Sequence, residues 1–281
     1  MVKIIECPRD AIQGIERFIP TKEKIKYYQE LLNLGFDILD LGSFVSPHAV
    51  PQMKDTLEVI NNLKTNDTKT ELLVIVGNNY GATQASIVDK IKYIGYPFAI
   101  SETFMKNNIN SSIAKGIRTI VKIIETSKAN KKEVVIYISM AFGNPYGDLW
   151  SIQLLGEWIN ILDKLGVKYI QLSDTTGEAT IEDIYTIFST FIPKYKSIEF
   201  GFHLHSAVDI EQKIDSAYKG GCRKFDTVVG GMGGCPLSGY EMVSNLKTTD
   251  LLNYLDKNKI KHKIKDLSNI VSKSSKFYGK K

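Results

Sequence analysis

Two histidines, His203 and His205, stand one leucine apart in the stretch GFHLHSAVD, in a chain that holds only four. The run before them, SIEFGF, reads as a strand, and residues two apart on a strand share a face. Both imidazoles are therefore expected to point the same way from a strand end. That suits a metal; hydrogen-bonded core histidines would satisfy the same spacing. Asp10 adds a carboxylate, and Asn245, read here on a helix after the last loop, adds an amide oxygen. Such a mixed N/O set with open positions favours Mg2+ or Mn2+ over a closed structural zinc site. Arg9 precedes Asp10, and Pro8 suggests that the strand is ending there, so both side chains are expected to face one mouth. Arg9 then either balances an enolate or carboxylate or forms a rim salt bridge with Asp10. The segment GGMGGCPLSG (230–239) has five glycines in ten residues and lacks the Gly-Lys-Ser/Thr of a phosphate loop. A mobile lid fits it, with Cys235 as an acid or base or as a small apolar anchor.

These residues are scattered in sequence, so the fold must gather them. Eight strand candidates occur: VKIIE, FDILDLG, ELLVIVG, YPFAIS, EVVIYISM, KYIQLS, SIEFGFH and KFDTVV. Segments with helical spacing lie between them, including ASIVDKIKYIG; several end in glycine (Gly35, Gly95, Gly166, Gly220), a common helix stop. EMVSNL and DLLNYLDK read as a further helix. The alternation predicts an α/β fold, a (β/α)8 TIM barrel with a C-terminal helical extension. An open doubly wound sheet is the competing architecture. We read one domain over 1–281, with the barrel at about 1–255 and the extension at about 256–281. In such barrels the site lies at the C-terminal ends of the strands. This turns attention to Arg9, Asp10, Asp40, Ser43, Asp174, Thr175, His203, His205 and the 230–239 loop.

The bulk composition is that of an ordinary soluble globular protein. Hydrophobic residues make up 43% and charged residues 24%, ordinary globular values. No apolar run approaches the ~20 residues that span a bilayer, and no leader precedes the first strand, so a cytoplasmic protein without membrane contact is expected. The net charge of +5 is concentrated in a basic C-terminal tail, with no basic stripe interleaved with aromatics, which argues against nucleic acid. Three cysteines without short pairing fit reduced thiols.

The segments ECPRDAIQ, SFVSPHAVPQM, ETFMKNNINSSI, AFGNPYGD, LSDTTG, FHLHS and GGMGGCP occur in this order, over roughly residues 2 to 255. Together they resemble the hydroxymethylglutaryl-CoA lyase family of metal-dependent barrels. The resemblance implies cleavage of 3-hydroxy-3-methylglutaryl-CoA to acetyl-CoA and acetoacetate, a retro-Claisen reaction. It implies metal ligation by Asp10, His203, His205 and Asn245, enolate stabilisation by Arg9, and catalysis by Cys235. Asp10 or His203 would take the hydroxyl proton. Gln13, Asp40, Asp174 and Thr175 are expected around the substrate with Arg9. Three positions depart from the family pattern: Asp40 where glutamate is frequent, Cys7 where glycine is, and His48 where lysine is. An acyl-CoA substrate and a homodimer are further expectations, and a bacterial type is implied. The alternatives are a lyase or condensing synthase of the same barrel type acting on a related hydroxyacyl-CoA or hydroxy acid, and a non-catalytic paralogue that only binds metal and acyl-CoA.

Overall fold

The computed structural model describes residues 1–206, 208–233 and 243–279. The chain opens with β1 (Lys3–Glu6), α1 (Pro8–Ile12), α2 (Thr21–Leu32), β2 (Ile38–Phe44), α3 (Thr56–Asn62) and β3 (Glu71–Val76). It continues with α4 (Asn79–Ser86), β4 (Ile91–Ala99), α5 (Glu102–Ile109), α6 (Ile113–Ala129), β5 (Glu133–Ser139), α7 (Ile152–Lys164) and β6 (Tyr169–Asp174). The last third holds α8 (Ile181–Lys194), β7 (Glu199–Leu204), α9 (Ile210–Lys219), β8 (Lys224–Thr227), α10 (Thr248–Lys257) and α11 (Ser268–Tyr278). The eight strands form a closed barrel in sequence order. All its pairs are parallel, and β8 closes on β1 with Lys3 opposite Lys224 and Glu6 opposite Thr227.

Parallel closure buries strands on both faces, which explains their near-continuous apolar runs. The helices cover the outside with stripes at helical spacing. On α7, Leu155, Ile159 and Leu162 are fully buried, and on α8, Ile184, Ile187, Phe188 and Phe191 do the same work. Side chains satisfy the free N–H groups at several helix starts: Ser112, Ser151 and Thr180 each accept from the backbone three residues on. At the C-terminal end α11 packs against α2, with Phe277 stacked on Tyr27 at 4.0 Å between ring centroids.

Three local readings change. Ile91–Gly95, expected inside a helix that Gly95 would stop, is the first half of the nine-residue β4. Ile91 and Ile94 are fully buried, and a β-carbon on Gly95 would lie 2.6 Å from Ile75 Cδ1, so interstrand packing overrides the helical spacing. Asn245 is not on a helix. Its segment is extended and bridges His205, and α10 begins only at Thr248. Pro8, Arg9 and Asp10 do not finish a strand. They begin α1, where proline's fixed φ and missing donor suit the first turn.

The last residue of β1, Glu6, is completely buried. Burial raises its carboxyl from 4.5 to about 8, against hydrogen bonds from Val229, Thr248 and Thr227 that pull it down. An acid whose folded pKa is raised supports folding in its protonated form. Its contribution is full below about 4.5 and is lost as pH rises through about 8. Glu6→Gln keeps the shape without the ionisation. Urea unfolding from about pH 5 to 9 should show the wild type losing stability relative to this variant. Parallel curves would mean that Glu6 is ionised in the folded protein throughout.

Candidate active site

Helix α1 sets one side of the barrel mouth. Its first turn presents Arg9 and Asp10, and Gln13 follows at its end. Arg9 Nη1 donates to Asp10 Oδ1 at 3.0 Å and to Gln13 Oε1 at 3.1 Å. Its Nε donates to the Asp40 carboxylate at 3.1 Å, and Nη2 bonds Asp40 as well. Gln13 Nε2 donates to Asp10 Oδ1 at 2.9 Å. The Arg9–Asp10 pair is thus buried in the mouth rather than exposed at its rim. Burial raises the Asp40 carboxyl to about 6, with Arg9 opposing the rise. Burial also pushes Asp10 up, but Arg9, the two imidazoles and Asn245 outweigh it and hold Asp10 below its ordinary value.

The histidines enter from the end of β7. His203 lies on the strand, and His205 sits in the bridge to Asn245. Their rings are 4.7 Å apart, centroid to centroid. His203 Nδ1 is 2.8 Å from Asp226 Oδ2, and His205 Nδ1 is 3.2 Å from the Val243 carbonyl. Each contact orients its ring and leaves Nε2 as the nitrogen available to a metal. Asp10, His203 and His205 can each offer a ligand atom, all within 4.8 Å of one another. Burial and the neighbouring His203 push His205 down to about 4, although Asp10 and Val243 pull it up, so this imidazole is neutral at pH 7. Burial disfavours a charged His203, but Asp226 more than reverses this and raises it. An ionised carboxylate beside two anchored imidazoles is a donor set that fits a divalent cation. Asn245 donates its Nδ2 to Asp10 Oδ2 at 2.7 Å and to the Met232 carbonyl at 2.9 Å. Its amide must turn over before Oδ1 can serve as a ligand.

A cavity of about 500 Å3 joins these groups. Arg9, Asp10, Gln13, Thr175, His203 and His205 line it, and Tyr137, Ser139 and Ser173 line its floor with Ser43. The hydroxyls of Ser43 and Tyr137 are buried without a hydrogen-bond partner among the described residues. Opposite the histidines the wall becomes apolar, with Val45, Val50, Ile75, Pro97, Phe104 and Ile109. Two expected residues stand back from it. Asp40 reaches it only through Arg9. Asp174 accepts from the Ala179 backbone at 3.1 Å and is raised by burial to about 7. His48 is exposed, and Cys7 is buried beneath the mouth. Cys235 lies outside the described residues. At the described foot of its loop, Gly230, Gly231 and Gly233 all have positive φ. A β-carbon on Gly233 would lie 2.8 Å from both Ala11 Cα and Asn245 Nδ2, so glycine is needed there for close approach.

Asp226 and Gln171 were missed from sequence. Gln171 Nε2 bonds Asp226 Oδ1, and Gly201 makes room: a β-carbon there would meet the Gln171 amide. A carboxylate in the apolar run KFDTVV was the available signal.

The HMGL-like family profile matches residues 2–275. The chain belongs to the HMGL-like family. Bovine mitochondrial hydroxymethylglutaryl-CoA lyase is 30% identical over 256 residues, 90% of this chain and 78% of the bovine protein. A Pseudomonas aeruginosa 3-hydroxy-3-isohexenylglutaryl-CoA/hydroxymethylglutaryl-CoA lyase is 28% identical over 91% of this chain and 85% of its own. Among solved structures, an HMG-CoA lyase from Acinetobacter baumannii, in complex with coenzyme A and 3-methylmalate, superposes with a TM-score of 0.92. It is 26% identical and matches 99% of this chain and 92% of its own. The Brucella melitensis HMG-CoA lyase gives 0.87 at 27% identity, matching 99% and 97%.

For this HMGL-like chain the Asp226–His203 contact should set metal affinity. Asp226→Asn removes the carboxylate that fixes the ring, and Mn2+ should bind about 10- to 100-fold more weakly by calorimetry. A folded variant with unchanged affinity would remove Asp226 from this role.

Proposed function

We propose that this chain cleaves 3-hydroxy-3-methylglutaryl-CoA to acetyl-CoA and acetoacetate. The observation that carries this reading is the meeting of Asp10, His203 and His205 beside Arg9 in one cavity of an HMGL-like barrel. Asp10, His203 and His205 would hold the cation, joined by Asn245 once its amide turns. When bound, Mg2+ or Mn2+ supplies Lewis acidity that lowers the pKa of a substrate hydroxyl.

The chain's own groups do the rest. Asp10 takes the proton from the tertiary hydroxyl; His203, expected as the alternative base, has its Nδ1 engaged by Asp226 and its Nε2 given to the cation. The bond between C2 and C3 breaks, C3 becomes the ketone of acetoacetate, and the electron pair passes into the thioester enolate. A guanidinium has five N–H donors. Among the described residues, Asp10, Gln13 and Asp40 engage all but one Nη2 hydrogen of Arg9, and that hydrogen would serve the enolate oxygen. Cys235 protonates the enolate carbon. The unpartnered hydroxyls of Ser43 and Tyr137 are available to substrate oxygens. Gln13 and Thr175 frame the reacting end, while Asp40 and Asp174 act from behind it. A closed barrel with α11 packed onto α2 supports reading 1–281 as one domain. No helix among the described residues is long and apolar enough to cross a membrane. A cytoplasmic homodimer is the proposed state, twofold dimers being the commonest oligomers.

The test is acetoacetate release from 3-hydroxy-3-methylglutaryl-CoA with Mg2+, with Mn2+ and with EDTA. Release should need a cation and should fall by about three orders of magnitude or more in His205→Ala, as expected when a group that supplies several kcal/mol of transition-state stabilisation is lost. Folded wild type that releases none with either cation would overturn the lyase reading.

A further inference from the structure

Both feet of the glycine-rich loop rest on one buried carboxyl group. On the incoming side, the Val229 N–H donates to Glu6 Oε1 at 2.7 Å. On the return side, the Thr248 hydroxyl donates to Glu6 Oε2 at 2.9 Å. Thr227 lies between them, 3.4 Å from Oε2 and 3.1 Å from the Thr248 hydroxyl. Glu6 is fully buried at the end of β1, so none of these contacts is shared with solvent.

The returning segment is laced into the barrel end. Ser206 N donates to Ser244 O, Leu246 N to Leu204 O, and Val228 N to Leu246 O, at 3.2, 3.0 and 2.9 Å. Thr248 N closes the lacing on Val228 O at 3.2 Å. Within this strap Asn245 reaches both Asp10 and the Met232 carbonyl at the other foot. The position of Asn245 over Asp10 is thus fixed through the strap, and the strap is fixed at its end by Glu6.

We propose that Glu6 is a positioning residue: it pins the start of the glycine-rich loop to the strap after it and so holds Asn245 against the cation ligands. This rests on the cation site and lyase activity proposed above. Glu6 touches neither cavity nor substrate and acts only through Val229, Thr227 and Thr248. Its acceptor and donor geometry matters, not its charge. Glutamine, with one acceptor for Val229 N–H and one donor for a threonine hydroxyl, replaces it; leucine, of similar bulk, does not.

The experiment compares wild type, Glu6→Gln and Glu6→Leu. Each is checked for folding by circular dichroism and thermal melting, and assayed well below its melting temperature. Mn2+ affinity is read by calorimetry, and kcat and KM are read by acetoacetate release. Glu6→Gln should stay within about threefold of wild type in Mn2+ affinity and kcat. Glu6→Leu should lose about tenfold or more in each, while KM moves less than about threefold. Asn245→Ala supplies the second arm. If Glu6 acts through Asn245, then adding Glu6→Leu to Asn245→Ala should weaken Mn2+ binding no further. If Glu6→Leu does not fold, Thr248→Val removes one contact and should lower Mn2+ affinity in the same direction. Unchanged Mn2+ affinity in folded Glu6→Leu or Thr248→Val, additive losses with Asn245→Ala, or a Glu6→Gln as impaired as Glu6→Leu would each overturn the proposal. Wild type that binds Mn2+ but releases no acetoacetate would fail the lyase reading and leave the Mn2+ comparison intact.

Discussion

The site depends on a hydrogen bond inside the barrel, from His203 Nδ1 to Asp226 Oδ2. Asp226 is buried away from solvent, so each of its carboxylate oxygens calls for a protein partner. Asp226 therefore cannot serve His203 alone. Its other oxygen accepts from Gln171, and Gln171 reaches it only because residue 201 is glycine. Four residues on three neighbouring strands thus decide which nitrogen of one imidazole faces the mouth. The His203–Asp226 pair also follows directly from strand register, since the two residues are Cα partners across β7 and β8.

Charge balance tells the same story from the other side of the mouth. One guanidinium, Arg9, is shared by two buried carboxylates, Asp10 and Asp40, with Asp226 close beneath His203. Burying ions is unfavourable unless they are paired, and here the acids outnumber the fixed base. The response differs at each carboxyl. Asp10, surrounded by Arg9, both imidazoles and Asn245, stays below its ordinary pKa; Asp40, sunk deeper, rises to about 6. The group facing the cavity is the one kept ionised. A divalent cation would complete the balance where Asp10 and the imidazoles converge.

The barrel and the principal site were legible in the sequence for a physical reason. Strand period and strand-end position place His203, His205, Arg9 and Asp10 at one mouth once eight alternations are seen. Local spacing failed where tertiary contacts decide the conformation. The DKIKYIG run carries helical spacing, yet Ile91 and Ile94 are buried in a strand. The NL of EMVSNL reads as helix, yet its backbone partners are Leu204 and Val228. Asp226 showed only as a carboxylate in an apolar run and Gln171 not at all, because their roles lie in side-chain contacts between strands. Proline at residue 8 was read correctly as a boundary, but it opens a helix rather than merely ending a strand.

At the described foot of the glycine-rich segment, glycine serves close approach between chain segments. Its glycines suggest freedom, yet the described ones are explained by constraint. Gly231 would place a β-carbon 2.3 Å from the Lys247 side chain, and Gly233 would drive one into α1 and Asn245. These are positions where another chain segment passes too close for any side chain, and positive φ is the conformation that permits the approach. Glu6 closes the same arrangement from below, joining β1, β8 and the start of α10. The feet of the loop are therefore set by the barrel and not by the loop. What the loop carries is delivered from a fixed base, and that base is built on the strand that leads into Arg9 and Asp10.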